Sequence, residues 1–201
     1  EKIVIIGPSG SGKSTLGQCL NGLIPHAIKG EVSGSLEING KSISEFSMHD
    51  YTEQVGTVLQ DTDSQFVGLS IGEDIAFALE NQLMSNIGMY PLVKSTAKMV
   101  DLADMLERSP HDLSGGQKQR VSLAGILVDD VDILLFDEPL ASLDPKTGKA
   151  TIEIIDQLHK ETNKTIVIIE HRLEDVLHRD IDRVIFCLLY TSDAADEHRR
   201  G

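Results

Sequence analysis

The sequence predicts an α/β fold with a mainly parallel sheet, and two observations carry this prediction. Short continuous apolar runs, such as 3–6 and 166–169, are typical of strands that are buried on both faces. Longer segments with apolar residues at helical spacing separate these runs. Strands that alternate with helices favour a parallel sheet, because each helix returns the chain to the end of the sheet where the next strand begins.

The predicted elements follow one another along the whole chain. After the strand 3–6 we expect a helix over 14–21, a loop over 23–34 and a short antiparallel pair around the Asn39-Gly40 turn. Helical spacing predicts an all-helical region over about 68–127, with one helix over 117–128. The other predicted strands are 55–59, 132–136, 165–169 and one near Val184, and the other predicted helices are 145–162 and 173–178.

Composition limits the possible partners. The chain has 201 residues, 40% apolar and 25% charged, which fits one large globular domain. Its formal net charge is −14 without any Lys/Arg-rich run, so no nucleic-acid partner is expected. A phosphate ligand remains compatible, because backbone N–H groups can bind it locally in an acidic protein. The two cysteines predict neither a disulfide framework nor a zinc site.

Both ends of the sequence are unusual. Residue 1 lies almost inside the first predicted strand, so we expect a domain over 1–187 that is truncated at its amino terminus. The tail 188–201 has no apolar periodicity, and we expect it to be a non-native, disordered extension. No apolar stretch approaches the roughly 20 residues that span a bilayer, so work at a membrane would need spans from elsewhere.

A glycine-rich turn follows the first predicted strand. Residues 7–14 match the Walker A pattern G-x-x-x-x-G-K-[ST], with a strand before it and a helix after it. The glycines let successive N–H groups face a phosphate, and the helix N-terminus adds positive charge. Lys13 can reach the β- and γ-phosphates, and the Ser14 hydroxyl can ligate Mg²⁺. The candidate ATP-binding residues here are Gly7, Pro8, Ser9, Gly10, Ser11, Gly12, Lys13, Ser14 and Thr15.

Two carboxylates end the predicted strand 132–136. Asp137 and Glu138 would lie at the carboxyl edge of the sheet, where α/β proteins bind ligands. Asp137 can hold the hydration shell of Mg²⁺, and Glu138 can orient and deprotonate an attacking water. The alternative is an acidic strand exit that only caps the next turn. The glycine-rich turn upstream favours the catalytic interpretation.

A third motif, Leu-Ser-Gly-Gly-Gln at 113–117, precedes the predicted helix 117–128. Its unpaired N–H donors at a helix start suit a second phosphate site. Taken alone, such a segment is more often a helix N-cap, and the other two motifs favour binding. The candidate binding residues here are Ser114, Gly115, Gly116 and Gln117.

These motifs, in this order, resemble an ABC-family ATPase over about residues 1–187. The resemblance implies a P-loop NTPase core, a small antiparallel β piece and an all-helical signature subdomain. Gln60 resembles the Q-loop glutamine, Asp144 resembles the nucleotide-binding aspartate of the D-loop, and His171 resembles the switch histidine. The resemblance thus assigns catalysis to Glu138, His171 and Gln60, and Mg²⁺ binding to Ser14, Gln60 and Asp137.

The resemblance also implies how such a chain works. ATP and Mg²⁺ would be its ligands, and ATP hydrolysis would be coupled to transmembrane transport. Ser114 and Gly116 would close on the γ-phosphate held by a second ATPase domain, in a head-to-tail dimer. Transmembrane subunits would be its partners, at the cytoplasmic face of the membrane, where it would be peripheral. Phe66 and Phe77 are candidates for that contact, with core packing as the alternative for Phe77.

Within this family, several segments are similar to energy-coupling-factor (ECF) importers of vitamins and metal ions. The segments are 55–61, 65–66, 73–77, 80–81 and 170–174. Two other interpretations stay open. One is a soluble ABC ATPase of DNA repair or translation, against which the acidic balance and the lack of a long heptad run speak. The other is a truncated fragment without catalytic activity.

Overall fold

One parallel sheet organises the protein. The structure is a computed structural model that describes residues 1–59, 66–141, 143–171, 174, 176 and 179–188. The sheet has the strand order β4-β5-β6-β1-β7, and all its neighbours are parallel. Its strands are β1 (Lys2–Ile6), β4 (Val55–Val58), β5 (Ile133–Asp137), β6 (Thr165–Glu170) and β7 (Arg183–Phe186). A separate antiparallel pair consists of β2 (Glu37–Ile38) and β3 (Lys41–Ser42). The predicted fold class is confirmed.

Seven α-helices lie within the described residues. They are α1 (Lys13–Leu20), α2 (Leu23–His26), α3 (Met48–Gln54), α4 (Ile71–Asn81), α5 (Asn86–Met99), α6 (Gly115–Leu127) and α7 (Pro145–Thr162). The predicted loop over 23–34 is wrong in its first turn, because α2 begins directly after Gly22. The predicted helix 173–178 lies largely outside the described residues. The division into a domain over 1–187 and a helical subdomain over 68–127 stays a prediction.

Both faces of the inner strands of the parallel sheet are buried, as the continuous apolar runs predict, whereas the edge strand β7 is exposed. On β1, Val4 and Ile6 belong to a core beneath α4–α7, whereas Ile5 belongs to a second core on the opposite face. Phe46 and Tyr51 close this second core, with ring centroids 5.2 Å apart in an edge-to-face arrangement. These two layers fix β1, and therefore the turn that leaves it, from both sides.

Capping residues set where the helices near the site begin. Ser70 starts α4 with a capping box to Glu73, in which each side chain accepts a hydrogen bond from the other residue's backbone N–H. Asp144 caps α7, accepting from the N–H groups of Lys146 and Thr147 at 3.0 and 3.2 Å. Both starts are therefore encoded locally, by a short polar side chain before an apolar periodic segment.

The parallel sheet brings distant parts of the sequence to one edge. In the register, Ile6 pairs with Glu170, and Asp137 pairs with Ile169. The carboxyl ends of β1, β5 and β6 therefore lie side by side, where ligands of α/β proteins bind. Across the described part of the chain, we find no helix that is both long enough and apolar enough to span a membrane.

Candidate functional site

The turn between β1 and α1 has a backbone that requires glycine. Gly10 and Gly12 have φ values of 77° and 88°, in the left-handed region that other residues rarely adopt. Gly7 has a φ of 156°, and a Cβ atom there would lie 2.3 Å from the carbonyl oxygen of Cys187. These glycines turn the backbone sharply before α1 begins, a conformation in which successive N–H groups can bind an anion.

The polar side chains of this turn fit a bound phosphate. Lys13 is only 5% exposed, and its Nζ donates to the carbonyl oxygens of Gly7 and Pro8 at 3.1 and 3.0 Å. The lysine is thus folded back over the turn, with its charge at the centre of the loop. Ser11 Oγ is buried without a hydrogen-bond partner among the described residues. A buried donor of this kind calls for an acceptor, and a phosphate oxygen supplies one.

The hydroxyl of Ser14 meets the carboxylate at the end of β5. Ser14 Oγ donates to Asp137 Oδ1 at 3.3 Å, which joins the start of α1 to the carboxyl end of β5. Burial raises the pKa of Asp137, the nearby Glu138 raises it too, and the hydrogen bond from Ser14 and the charge of Lys13 lower it. Because burial disfavours the charged form of Asp137, a cation bound beside it would stabilise the ionised carboxylate.

Ser14 and Asp137 offer two oxygen ligands. Such a pair suits an Mg²⁺ ion that is also held by water and phosphate better than a metal ion held by protein ligands alone. The described residues contain no group of three or more His, Cys, Asp or Glu that could hold a metal ion. Mg²⁺ keeps several waters and takes phosphate oxygens beside one or two protein oxygens, so a hydroxyl and one carboxylate suffice.

Glu138 and His171 lie close together in a groove that the glycine turn also lines. His171 Nδ1 lies 3.8 Å from Glu138 Oε1, which is ion-pair distance. Glu138 has a φ of 50°, a left-handed backbone that is uncommon for a glutamate. The groove between them and the glycine turn has a volume of about 400 Å³. Its lining residues are Gly7, Pro8, Ser9, Lys13, Glu138, His171 and Phe186.

Residues 113–117, the signature segment, cap helix α6 and do not line this groove. Ser114 Oγ accepts from Gln117 N–H at 3.4 Å, and Gln117 Oε1 accepts from Ser114 N–H at 3.0 Å, which makes a capping box. A Cβ atom on Gly116 would lie 2.5 Å from Thr147, so this helix start packs closely on α7. Asp144 caps α7 and is likewise absent from the groove lining.

Comparison with known proteins identifies the family of this arrangement. The ABC transporter family matches residues 1–141. This chain belongs to the ABC transporter family. The resemblance inferred from the motifs is therefore confirmed at the level of the family.

Curated relatives of this ABC transporter chain are longer than the chain itself. It is 86% identical over 185 residues to an ABC transporter ATP-binding protein of Vibrio parahaemolyticus, covering 92% of this chain and 32% of the relative. A relative of the same description from Clostridium perfringens is 60% identical over 185 residues, with 92% and 33% covered. The chain thus spans about a third of the length of these relatives.

A solved structure shares the fold of this ABC transporter chain. CbiO1 from Clostridium perfringens, part of the ABC transporter complex CbiONQ, superposes with a TM-score of 0.83 at 29% identity. The match covers 98% of this chain and 80% of CbiO1. The α/β architecture described above is therefore that of a known ABC transporter component.

One predicted site residue, Gln60, lies outside the described residues of this ABC transporter chain, so its role remains a prediction. Two residues at the site were missed by the motif analysis. Phe186 ends β7 and lines the groove, and the rule that ligands bind at the carboxyl ends of strands could have found it. Glu170 is fully buried beside His171, and no local sequence signal indicates its contacts.

Proposed function

We propose that this chain binds and hydrolyses ATP and thereby powers a membrane transporter, of the ECF type that takes up a vitamin or a metal ion. One observation carries the proposal. The groove of about 400 Å³ brings the glycine turn and Lys13 together with Glu138 and His171, which lie more than a hundred residues further along the chain. A phosphate-binding turn opposite a glutamate and a histidine is the arrangement that phosphoryl transfer to water requires.

Binding of the triphosphate rests on the glycine turn. Its N–H groups and the positive end of α1 would bind phosphate oxygens, and the Ser11 hydroxyl adds a buried donor. Lys13 already lies over the turn and exchanges its carbonyl contacts for contacts with the β- and γ-phosphates. Gly7, Pro8, Ser9, Gly10, Gly12 and Thr15 complete the proposed ATP-binding set.

Hydrolysis rests on the opposite wall of the groove. Ser14 and Asp137 would hold Mg²⁺, which when bound neutralises charge on the phosphate oxygens. Glu138 orients the attacking water and accepts its proton. His171, at 3.8 Å from Glu138, holds that carboxylate in place and donates towards the γ-phosphate. Gln60 would add a contact to water or Mg²⁺.

A second ATPase domain would complete the site. The residues of the signature segment, Ser114, Gly115, Gly116 and Gln117, do not line the groove of their own chain, although Ser114 and Gly115 are exposed at a helix start. The capping box takes up the N–H groups of Ser114 and Gln117, so the N–H groups of Gly115 and Gly116 would meet the γ-phosphate bound by another protomer in a head-to-tail dimer, with Asp144 beside them. ATP holds such a dimer closed, and hydrolysis lets it open.

A shallow groove beside α4 suits the membrane partner. Phe77 is 42% exposed there, so core packing is not its role. The groove has a volume of about 150 Å³ and lies between β4, α4 and α6. Phe66, by contrast, packs partly against the core and lies edge-to-face on His111. The membership of CbiO1 in a transporter complex supports a transmembrane subunit as the occupant, which would place this chain at the cytoplasmic face of the membrane.

The proposal is tested by titrating the purified chain with ATP in the presence of Mg²⁺ and measuring phosphate release. We expect saturable binding and turnover, with binding weakened and turnover lost in Lys13→Ala. A chain that folds but shows no saturable binding of Mg-ATP contradicts the proposal. For the partner, a photo-crosslinker at position 77 is introduced into the chain in Vibrio parahaemolyticus cells. Crosslinks to an integral membrane protein support transport, whereas crosslinks only to soluble proteins contradict it.

A further inference from the structure

We propose that Glu170 is a positioning residue for hydrolysis, which holds the strained backbone of Glu138 and the adjacent His171 in one fixed arrangement. This inference rests on the function proposed above. Glu170 is the last residue of β6 and is 0% exposed. A carboxylate without solvent contact needs strong internal partners, because burial of an unsatisfied polar group is costly.

The partners of Glu170 belong to the two catalytic segments. Its Oε1 accepts a hydrogen bond from Leu140 N–H at 3.1 Å, in the turn that follows Glu138. Its Oε2 accepts from His171 N–H at 3.0 Å and lies 3.8 Å from the Nδ1 atom of the same histidine. One carboxylate thus bridges the exit of β5 and the exit of β6.

The turn held by this bridge is strained. Glu138 adopts a φ of 50° and immediately precedes Pro139. A left-handed conformation is unfavourable for a non-glycine residue, and it persists only where the surroundings impose it. Glu138 N–H donates to Ile169 O at 2.9 Å, which anchors the start of the turn, and Leu140 N–H anchors its end through Glu170.

A further contact joins the same turn to α6. The side-chain amide of Gln119 in α6 donates to Pro139 O, and the hydroxyl of Thr151 donates to Gln119 Oε1 at 3.2 Å. The turn is therefore fixed at three successive residues by two elements, β6 and α6, and the Glu170 side chain of β6 also contacts His171. Its loss removes this side-chain link between the two catalytic segments.

Substitution can separate this role from simple packing. A carboxylate offers acceptors on both oxygens, whereas the glutamine amide offers only one. Glu170→Gln therefore keeps the size of the side chain but loses one of the two bridging contacts. A residue misplaced by about 1 Å can lower a rate on the order of 100-fold, so we expect kcat to fall about 10- to 100-fold. The KM for ATP should change less than about threefold, since the hydrogen-bond partners described for the Glu170 carboxylate, Leu140 and His171, lie outside the glycine turn.

Amide hydrogen exchange tests the bridge independently of turnover. In Glu170→Gln, exchange at Leu140 or His171 should accelerate about tenfold or more, while the amides of β5 stay protected. Unchanged exchange at both amides overturns the inference. If the wild-type chain hydrolyses ATP, an equal kcat in Glu170→Gln overturns it too. Absence of turnover in the wild-type chain instead contradicts the proposed function and leaves the exchange result as the test of the bridge.

Lys2→Met is the matched control. Lys2 is also buried at 4% exposed and ion-paired with Asp156, at the opposite end of the same sheet. The substitution removes a buried charge, and Lys2 does not line the groove. We expect Lys2→Met to lower the melting temperature with kcat and the exchange at Leu140 unchanged. An equal loss of kcat in the control would show that Glu170 acts only through general stability, and this would overturn the inference.

Discussion

Glu138 illustrates how much a single position has to satisfy. Its backbone is left-handed, its carboxylate lies 3.8 Å from His171, and its N–H is bonded to β6. The motif places a glutamate there, but only the pairing of β5 with β6 fixes where its carboxylate lies. The chemistry at this position therefore depends on the backbone geometry as much as on the residue type.

We expect Glu138→Gln to abolish ATP turnover while sparing ATP binding. The amide keeps the shape of the side chain but cannot accept the proton of the attacking water. Phosphate release and fluorescent-nucleotide binding, measured on the same preparation, check both parts. Normal hydrolysis by this variant would exclude Glu138 as the base.

Lys13→Ala should weaken ATP binding about 10- to 100-fold, since a charged hydrogen bond contributes about 1.5–3 kcal/mol. Calorimetric titration with Mg-ATP measures the change. Lys2→Met serves as the control for loss of a buried lysine, and its affinity should equal that of the wild type. An unchanged affinity in Lys13→Ala would contradict the phosphate-binding role.

Asp137→Asn should stabilise the folded chain at neutral pH and weaken its Mg-ATP binding. Burial raises the folded-state pKa of Asp137 above its ordinary value of 3.8, so its ionisation opposes folding as the pH rises through the folded-state pKa. The variant should therefore melt at a higher temperature than the wild type at pH 7, and the difference should vanish below the unfolded-state pKa of 3.8. Melting curves across this pH range test the sign, and a lower melting temperature at pH 7 would contradict it.

At the scale of elements, the start of α6 has a structural role as a helix cap and a proposed role in binding ATP. Ser114 caps the helix whether or not a partner is present. Removing the hydroxyl in Ser114→Ala should destabilise the monomer by about 1 kcal/mol. Ser114→Arg should block closure of the dimer, but it also loses the cap.

Ser114→Asp separates the capping role of this residue from its proposed role in ATP-dependent dimerisation. Aspartate is as good an N-cap as serine, so the melting temperature should stay within about one degree of the wild type. Its negative charge would face the γ-phosphate of the partner and should abolish ATP-dependent dimerisation. Analytical ultracentrifugation in a Glu138→Gln background, where ATP persists, measures this. A Ser114→Asp variant that still dimerises with ATP would contradict the head-to-tail arrangement.

At the scale of the whole molecule, local patterns predicted most elements and the motifs they carry. The strand at 55–59 and the helix at 145–162 follow from periodicity, and α3 was missed because its seven residues lack a long apolar stripe. What local patterns could not supply is contact between strands. The bridge through Glu170 depends on the exits of β5 and β6 lying side by side, which the order β4-β5-β6-β1-β7 decides.

The same strand order has a consequence for biosynthesis. β1 pairs only with β6 and β7 among the described strands, with Ile5 opposite Ile169 and Val4 opposite Val184. β1 therefore gains neither of these neighbours until β6, at Thr165–Glu170, has been translated. Such long-range pairing is slow, and the apolar residues of β1 stay available to chaperones during the wait.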